Sequence, residues 1–229
     1  MNSQAESLEE IYIYCAGGQG RHITFLIQQI GGYKIMGFID ESSSLVGKSI
    51  KGFPVFSSIE SAVSGKNEIN IAIANGTPKY VHAIVKKLRE YQKSLNCKVN
   101  FPNLIHPSVL YDASGVSFGV GNIINVGTNL TTDIVIGDFN YFNRYCILGH
   151  DLIVGSYCNF NAGVIIGGNV SIGNFTYLGM GTRVIQGKKI GQNVLTGAGS
   201  IIQTDVADNA IMIMPKARHF SNQKPVIME

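Results

Sequence analysis

The sequence predicts two architectures in one chain, a small parallel α/β domain followed by a parallel β-helix. Three observations lead to this prediction. A six-residue repeat runs without insertion or deletion from Phe118 to Ile202. Strand and helix patterns alternate before residue 102, and residues 102–107, with a proline at each end, separate the two patterns. We therefore expect domains over residues 1–103 and 104–229.

The α/β part has the hydrophobic periodicities of strand and helix in turn. Proline is favoured in the first turn of a helix, which places one helix start at Pro78. Strands that alternate with helices indicate a parallel sheet. The predicted elements, in order, are a strand at 11–15, a glycine-rich turn at 16–20, a helix at 21–30, strands at 33–39 and 69–74, a helix from 78 to about 91, and a last strand at 99–101.

Ligands of parallel sheets bind beyond the carboxyl ends of the strands. The glycines there match only part of a dinucleotide-binding fingerprint, because Ile23 stands where the third glycine belongs. A tight turn without a ligand explains them equally well. Asp40 either accepts a hydrogen bond from a ribose hydroxyl or is a solvated loop acid. The candidate residues at this edge are Gly17, Gly18, Gln19, Gly20, Asp40, Glu41 and Asn75.

The repeats place one inward residue in every six. Fourteen of the fifteen counted positions are large and apolar, and Thr196 is the exception. Gly or Asn usually follows, and both residue types tolerate tight corners. Three repeats make one triangular coil, so about five coils are expected, stacked roughly 4.8 Å apart like neighbouring strands. The inward residues should form a continuous column, which makes the array cooperative.

Composition narrows the class of function. The formal net charge is +3 without a basic stripe, so no nucleic-acid partner is expected. The N-terminus lacks a signal-peptide pattern and no apolar run reaches membrane-spanning length, which favours a cytoplasmic protein. Four cysteines without a CxxC spacing indicate reduced thiols. His150 is the one histidine between His106 and His219, so a zinc site in the repeats is not expected.

Several segments together resemble a known family. They are the strand, Gly-Gly-x-Gly turn and helix, the segments at 37–41 and 71–76, His-Pro-Ser at 106–108, Asn143 seven residues before His150-Asp151, and the glycine-rich segments at 190–191 and 197–200. Over residues 10 to about 218 the chain is similar to bacterial sugar acyltransferases of the NeuD/PglD type. The resemblance implies a Rossmann-like domain that binds a nucleotide sugar and a left-handed β-helix whose trimer binds acetyl-CoA between adjacent subunits.

The activity implied by this resemblance is acetyl transfer from acetyl-CoA to the amine of a nucleotide-linked amino-deoxy sugar, in a ternary complex and without a metal. The product would be destined for a surface polysaccharide or glycan. O-acetylation of a sialic-acid-like sugar is the alternative within the class. A catalytically silent scaffold that binds a sugar nucleotide is an alternative of another class. A NAD-dependent oxidoreductase is disfavoured because Ile23 breaks the fingerprint and the repeats would have no role.

The family roles transfer to individual residues of this chain. His150 would be the general base, Asp151 would orient it, and Asn143 would contact the substrate. Gly168 would donate its backbone N–H to the developing oxyanion, and its missing side chain would leave room for the acetyl group. Further contacts to the acetyl group and to coenzyme A are implied for Asn159, Gly179, Met180, Gly181 and Ala198.

Two residues depart from the family pattern. Many members have a histidine where this chain has Gln19, and a second one where it has Asn159. Amide side chains form hydrogen bonds but do not transfer protons at neutral pH, so the acceptor sugar or the placement of the acetyl oxygen is expected to differ. At the C-terminus, Lys216 and Arg218 either meet coenzyme A phosphates or form a plain basic tail.

Overall fold

The computed structural model describes residues 8–63, 65–95 and 97–215. The N-terminal domain is a six-stranded sheet in the order β3-β4-β2-β1-β5-β6, parallel except for the antiparallel β3–β4 pair. Parallel strands need crossover connections, and the helices supply them. The elements are β1 (Glu9–Tyr14), α1 (Gly18–Ile30), β2 (Tyr33–Ile39), β3 (Ser49–Ile50), β4 (Phe53–Phe56), α2 (Ile59–Val63), β5 (Glu68–Ile73), α3 (Pro78–Leu95) and β6 (Lys98–Asn100).

The rest of the described chain is a parallel β-helix of short strands. In chain order these are β7 (Leu104–Ile105), β8 (Val116–Phe118), β9 (Ile123–Ile124), β10 (Asn129–Leu130), β11 (Ile134–Ile136), β12 (Tyr141–Phe142), β13 (Ile147–Leu148), β14 (Leu152–Val154), β15 (Asn159–Phe160), β16 (Ile165–Ile166), β17 (Ser171–Ile172), β18 (Tyr177–Leu178), β19 (Arg183–Val184), β20 (Lys189–Ile190), β21 (Leu195–Thr196), β22 (Ile201–Ile202) and β23 (Ile211–Met212).

These strands form three faces. Face A contains β7, β9, β12, β15, β18, β21 and β23; face B contains β10, β13, β16, β19 and β22; face C contains β8, β11, β14, β17 and β20. The chain visits the faces in the order A, B, C, so each coil has an A–B, a B–C and a C–A corner. Successive coils pair in parallel with an offset of eighteen residues, as in Tyr141 with Asn159.

The inward column forms as the repeat predicts. Every counted position from Ile124 to Ile202 is buried, and Phe118 is half-buried against the same core. Phe142 and Phe160 stack with ring centroids 4.5 Å apart. Thr196 is also inward, and its hydroxyl meets that of Thr182 at 2.9 Å, so the polar exception is hydrogen-bonded inside the column.

An aromatic ladder on the C–A corner joins the two domains. Phe139, Tyr157 and Phe175 occupy successive coils, and their rings stack 5.4 and 5.2 Å apart. All three have φ between 55° and 61°, a region that costs an aromatic residue conformational energy. From the N-terminal domain, Phe101 packs edge-on against Phe139, and His82 of α3 packs against Tyr157 and Phe175.

A shared core also holds the N-terminal domain against face A. Ile23 and Leu26 of α1 belong to the same buried cluster as Leu104, Ile123 and Tyr141 of the β-helix. The ladder and this cluster together fix the orientation of the sheet relative to the coils. The carboxyl ends of β1 and β5 therefore face the A–B corner.

The structure corrects several predicted boundaries. The helix expected at residue 21 begins at Gly18, so three of the five residues of the predicted turn at 16–20 lie in its first turn. Two strands and a short helix, β3, β4 and α2, were not predicted between residues 41 and 63. That segment is rich in Ser, Gly and Lys and gives no long periodic pattern. The supposed link at 102–107 contains β7, the first strand of face A.

Candidate active site

A cleft of about 570 Å³ lies between the two domains, at the A–B corner of the β-helix. This volume is within the range typical of ligand sites. Its lining combines the start of α1, the loop after β5 and three successive coils. We call it the interdomain cleft, and its lining residues are Gly18, Gln19, His22, Gly76, Thr77, Tyr141, Asn143, Arg144, Asn159, Asn161 and Tyr177.

Gly20 allows α1 to begin directly against the end of β1. A Cβ atom at Gly20 would overlap the carbonyl oxygen of Cys15, so only glycine fits there. Gly17 gives no side-chain cap, which leaves first-turn N–H groups of α1 without a side-chain partner. The same turn directs Gln19 into the interdomain cleft.

Asn159 links face A to the loop after β5. Its Nδ2 donates to the carbonyl oxygen of Gly76 at 2.5 Å, and its side chain is almost completely buried. Two buried polar atoms in the cleft have no partner among the described residues, Nε2 of Gln19 and Oδ1 of Asn159. One is a donor and the other an acceptor. Both belong to the positions where the sequence departs from the family pattern.

His22 is a cleft residue that the sequence analysis missed. Its Nδ1 lies 3.1 Å from the hydroxyl of Tyr141. Burial lowers the pKa of His22 below its ordinary value, and the nearby Arg144 lowers it further. Burial also raises the pKa of Tyr141 to about 12, so this hydroxyl keeps its proton. A usable signal existed, because His22 follows Gln19 by three residues and so lies on the same side of a helix.

The acids at the sheet edge have structural partners. Asp40 accepts hydrogen bonds from the amides of Ala16 at 2.8 Å and Ser42 at 2.9 Å, which tie β1 to the loop after β2. Glu41 accepts from the Tyr14 hydroxyl at 2.7 Å and pairs with Lys87. The hydrogen bond from Lys87, followed by that from Tyr14, lowers the pKa of Glu41.

The residues predicted to bind a nucleotide sugar therefore surround two spaces. Gly18 and Gln19 line the interdomain cleft, whereas Asp40 and Glu41 line a separate pocket of about 310 Å³ beside α3. We call the second space the edge pocket. Asn75 lies near both, since its Oδ1 accepts from the amide of Thr77 at 2.9 Å and its Nδ2 approaches the sulfur of Cys15.

His150 and Asp151 form a hydrogen-bonded pair at the B–C corner. His150 Nδ1 lies 2.7 Å from Asp151 Oδ2, and both side chains are more than half exposed. Side chains of neighbouring residues on a strand point to opposite faces. Asp151 has a φ of 54°, and this left-handed corner brings the two side chains to one side.

Gly168 lies one coil beyond His150, and its lack of a side chain is required by the imidazole. A Cβ atom at Gly168 would lie 2.5 Å from His150 Nε2. The room predicted for the acetyl group is thus taken up by the histidine ring. The structure gives the Gly168 amide no hydrogen bond to any described residue. At the C–A corner, by contrast, a backbone amide can donate to a side chain one coil further on. The amide of Asp138, for example, donates to the hydroxyl of Ser156 at 2.9 Å.

The residues implied for coenzyme A lie at a different corner from His150. Gly179, Met180, Gly181 and Ala198 belong to the A–B corner, the same corner as Asn143. Met180 is exposed, and Gly181 has a φ of 66° that suits a glycine corner. Face B lies between this corner and His150. A single chain therefore does not bring Asn143 and the coenzyme A residues next to His150 and Gly168.

Within the described ranges, no three His, Cys, Asp or Glu side chains cluster in a way that would hold a metal ion. The free thiols of Cys146 and Cys158 are buried in the column, and burial raises the pKa of each to about 12, so neither is poised as a nucleophile.

Comparison with known proteins relates the N-terminal domain to a family. Residues 10–88 match the family model of the PglD N-terminal domain. Over these residues, the resemblance to PglD-type proteins predicted from the sequence is thereby confirmed. No curated protein sequence matches the chain.

Solved structures share the fold of both domains. PerB of Caulobacter crescentus, in complex with CoA and GDP-perosamine, has a TM-score of 0.79 at 24% identity, over 91% of this chain and 95% of that one. The acetyltransferase domain of PglB from Neisseria gonorrhoeae, with acetyl coenzyme A, has a TM-score of 0.78 at 24% identity, over 91% and 97%. WeeI of Acinetobacter baumannii reaches 0.69 at 23% identity, over 93% and 99%. The predicted fold class, a Rossmann-like domain followed by a left-handed β-helix, is confirmed.

Proposed function

We propose that this chain, whose N-terminal domain belongs to the PglD N-terminal domain family, is an acetyl-CoA-dependent N-acetyltransferase. Its acceptor is the amine of a nucleotide-linked amino-deoxy sugar. The observation that most supports this is the His150–Asp151 pair beside the free amide of Gly168. The same fold occurs in a structure described as containing CoA and GDP-perosamine.

The geometry supports His150 as the general base. With Nδ1–H donating to Asp151, the free Nε2 accepts a proton from the sugar amine as its nitrogen attacks the thioester carbonyl. The C–N bond forms, and the carbonyl oxygen becomes an oxyanion that the Gly168 N–H stabilises. The C–S bond then breaks, and the imidazolium returns its proton to the departing thiolate. The sugar ammonium loses its first proton to water before the attack.

The N-terminal domain supplies the nucleotide-sugar site. The start of α1, with Gly17 at its N-cap, offers unpaired N–H groups and the positive end of the helix dipole, which suit a diphosphate. The edge pocket, with Asp40, Glu41 and Asn75 around it, takes the nucleoside. The interdomain cleft takes the sugar, because it lies between this turn and Asn143.

Acetyl-CoA binds along the A–B corner. Gly179, Met180, Gly181 and Ala198 line the path of the pantetheine arm, where small residues let a chain approach the backbone closely. The sequence left two interpretations open for Lys216 and Arg218, contact with the phosphates or a plain basic tail, and both residues lie outside the described residues. The co-substrate requires no metal.

The active site is completed by a second copy in a homotrimer. Face B presents Ile147 and Ile201, which are 48% and 45% exposed, between the two halves of the site. A head-to-tail contact that buries this face places the B–C corner of one copy beside the A–B corner of the next, and three such contacts close. His150 of one copy then faces the interdomain cleft of its neighbour.

The cleft also favours a second candidate, O-acetylation of a sialic-acid-like sugar. The described lining contains the cation Arg144 and no carboxylate, an arrangement that attracts a carboxylate on the sugar more than an ammonium. The same His150 would deprotonate a hydroxyl. The catalytically silent scaffold remains the alternative of another class.

Two features of the chain bear on where in the cell the enzyme acts. No helix in the part of the chain that the structure describes is both long and apolar enough to cross a bilayer. The four cysteines are free, as in a reducing compartment. We place the enzyme in the cytoplasm, where its product enters the assembly of a surface polysaccharide or glycan.

A thiol-release assay tests this proposal. Acetyl-CoA is combined with UDP-, GDP-, dTDP- and CMP-linked sugars that carry either a free amine or only hydroxyls. Release of CoA with an amino sugar supports N-acetylation, and release with a CMP-linked keto-acid sugar alone supports the second candidate. Binding of a nucleotide sugar with no thiol release from any of them identifies a scaffold and contradicts both.

A further inference from the structure

The interdomain cleft contains two unpaired amide atoms whose chemistry is complementary. We propose that Gln19 and Asn159 form a specificity pair that binds one neutral substituent of the acceptor sugar, a hydroxyl or an acetamido group that both donates and accepts a hydrogen bond. This substituent is distinct from the group that is acetylated. The inference rests on the proposed function and specifies which kind of substituent on the acceptor sugar the cleft recognises.

The orientation of Asn159 is set by its surroundings. Its Nδ2 donates to the Gly76 carbonyl oxygen, which cannot donate in return, so Oδ1 must point the other way. Only 4% of the residue is exposed, and Oδ1 has no partner in the described chain. A buried acceptor without a donor is costly, which indicates that a ligand or water completes it.

Gln19, which belongs to the N-terminal domain, lies close to Gly76 as Asn159 of the β-helix does. A Cβ atom at Gly76 would lie 2.9 Å from Gln19 Oε1 and 3.2 Å from Asn159 Nδ2, so both amides converge on this glycine. The buried Nε2 of Gln19 then offers its N–H groups without a partner among the described residues. Because Gly76 has no side chain, there is room for both amides. The pair therefore consists of one side chain from each domain.

A hydroxyl group has the chemistry that both atoms require. Its oxygen is an acceptor for Gln19 Nε2, and its hydrogen is a donor for Asn159 Oδ1. An acetamido group does the same with its carbonyl oxygen and its N–H. An ammonium has no lone pair for the Gln19 donor, and a carboxylate has no hydrogen for the Asn159 acceptor. The charged groups therefore leave one amide atom unpaired, and the neutral groups leave none.

The test compares Gln19→Met with the wild type. Methionine has nearly the length of glutamine but no donor, and Gln28→Met on the exposed side of α1 is the matched control. The probes are the nucleotide sugar that binds best among UDP-, GDP-, dTDP- and CMP-sugars and its analogues that each lack one hydroxyl or acetamido group. Dissociation constants come from calorimetry, and thiol release is followed separately.

One analogue should bind the wild type about 10- to 100-fold more weakly than the parent sugar, the usual effect of an unpaired buried group. Gln19→Met should lose a similar factor for the parent and nothing further for that analogue. Affinity for acetyl-CoA should not change. Whether the missing group is a hydroxyl or an acetamido group identifies the substituent.

Several outcomes overturn the inference. Equal affinities of Gln19→Met and the wild type show that water alone pairs with the amides. If Gln19→Met weakens binding of every analogue by the same factor as it weakens binding of the parent sugar, Gln19 contacts none of the removed groups. Failure of every nucleotide sugar to bind has the same consequence. Binding with the expected pattern but without thiol release refutes the proposed transferase and leaves the specificity pair standing.

Discussion

At the scale of single residues, the chemistry depends on one backbone angle. Because Asp151 adopts a φ of 54°, its carboxylate reaches the imidazole of the preceding His150. In the proposed mechanism the aspartate holds the Nδ1–H tautomer, so Nε2 is the atom that exchanges a proton. Gly168 then places beside the ring an amide that has no acceptor among the described residues. A regular strand conformation at residue 151 would separate the two side chains.

Replacing His150 by alanine should lower kcat/KM about 10²- to 10⁴-fold, the usual contribution of a positioned general base. The side chain is exposed, so the thermal midpoint and the trimer should hardly change. Thiol-release kinetics and thermal unfolding measure the two effects. His106→Ala, at a half-buried histidine outside the candidate site, is the control. Full turnover in His150→Ala at saturating substrates would leave Asn143 or water to account for the chemistry.

His22 should make stability depend on pH. Burial and Arg144 hold its pKa below 6.5 in the folded protein, whereas the unfolded chain takes up the proton near 6.5. Below that pH the unfolded state binds more protons, so the free energy of unfolding falls as the pH falls, and it is level above. His22→Gln, which does not titrate, should show a smaller loss between about pH 7 and about pH 5. Parallel curves for the two proteins would contradict this assignment.

Some site residues were predictable and others were not. His150 and Gly168 follow from the residue pattern, because the repeat fixes which residue lies one coil further on. The sequence did not show that the imidazole fills the space above Gly168, since that depends on a side-chain rotamer. Gln19 and Asn159 stood out only as departures from a family pattern. Their meeting at Gly76 requires the packing of two domains, which no local pattern contains.

At the scale of elements, the aromatic ladder turns a costly conformation into a contact between domains. Left-handed corners usually hold Gly, Asn or Asp. Phe139, Tyr157 and Phe175 occupy such corners and stack on one another, and His82 and Phe101 cover them. Stacking and burial offset the cost of the positive φ angles. The ladder holds the N-terminal domain in the position that defines the interdomain cleft.

Tyr157→Asn tests the ladder without adding backbone strain. Asparagine tolerates the left-handed region, so the variant removes only the ring and its contacts. We expect the free energy of unfolding to fall by about 1–3 kcal/mol, from two stacked contacts and one edge contact. Tyr145→Asn is the matched control, because Tyr145 has a φ of 59° and is 64% exposed. Equal denaturation midpoints for the two variants would show that the ladder adds no stability.

The elements differ in how far the sequence predicts them. The six-residue period determines the faces and corners, because each repeat packs only against its neighbours. The β2 strand was placed with both of its ends correct. In contrast, β3 and β4 are two and four residues long, too short to show a periodic pattern in the sequence. The start of α1 at Gly18 was missed because glycine is a poor helix former, and tertiary packing of Gly20 overrides that preference.

At the scale of the whole molecule, the proposed function requires the chain to contain two halves of one site. The interdomain cleft lies at the A–B corner, and the His150–Asp151 pair lies at the B–C corner, with face B and its exposed Ile147 and Ile201 between them. The homotrimer that we propose joins the halves of neighbouring copies. Activity and assembly should therefore be lost together.

Ile147→Lys should dissociate the trimer and abolish thiol release, because a charge cannot be buried unpaired in an apolar contact. Ile153→Lys is the matched control, since Ile153 is similarly exposed but lies on face C. Light scattering measures the mass, and the thiol-release assay measures activity. An active trimer of Ile147→Lys, or a monomer of Ile153→Lys, would place the contact on another face.

The most direct test of the account mixes two inactive variants. His150→Ala removes the base, and Asn143→Trp fills the interdomain cleft with a large side chain. When the two are co-expressed, random trimers should place an intact His150 beside an intact cleft in about a quarter of their contacts, so thiol release should recover to roughly a quarter of the wild-type rate. Mixed trimers no more active than either variant alone would show that the site does not form between copies, and would contradict the account.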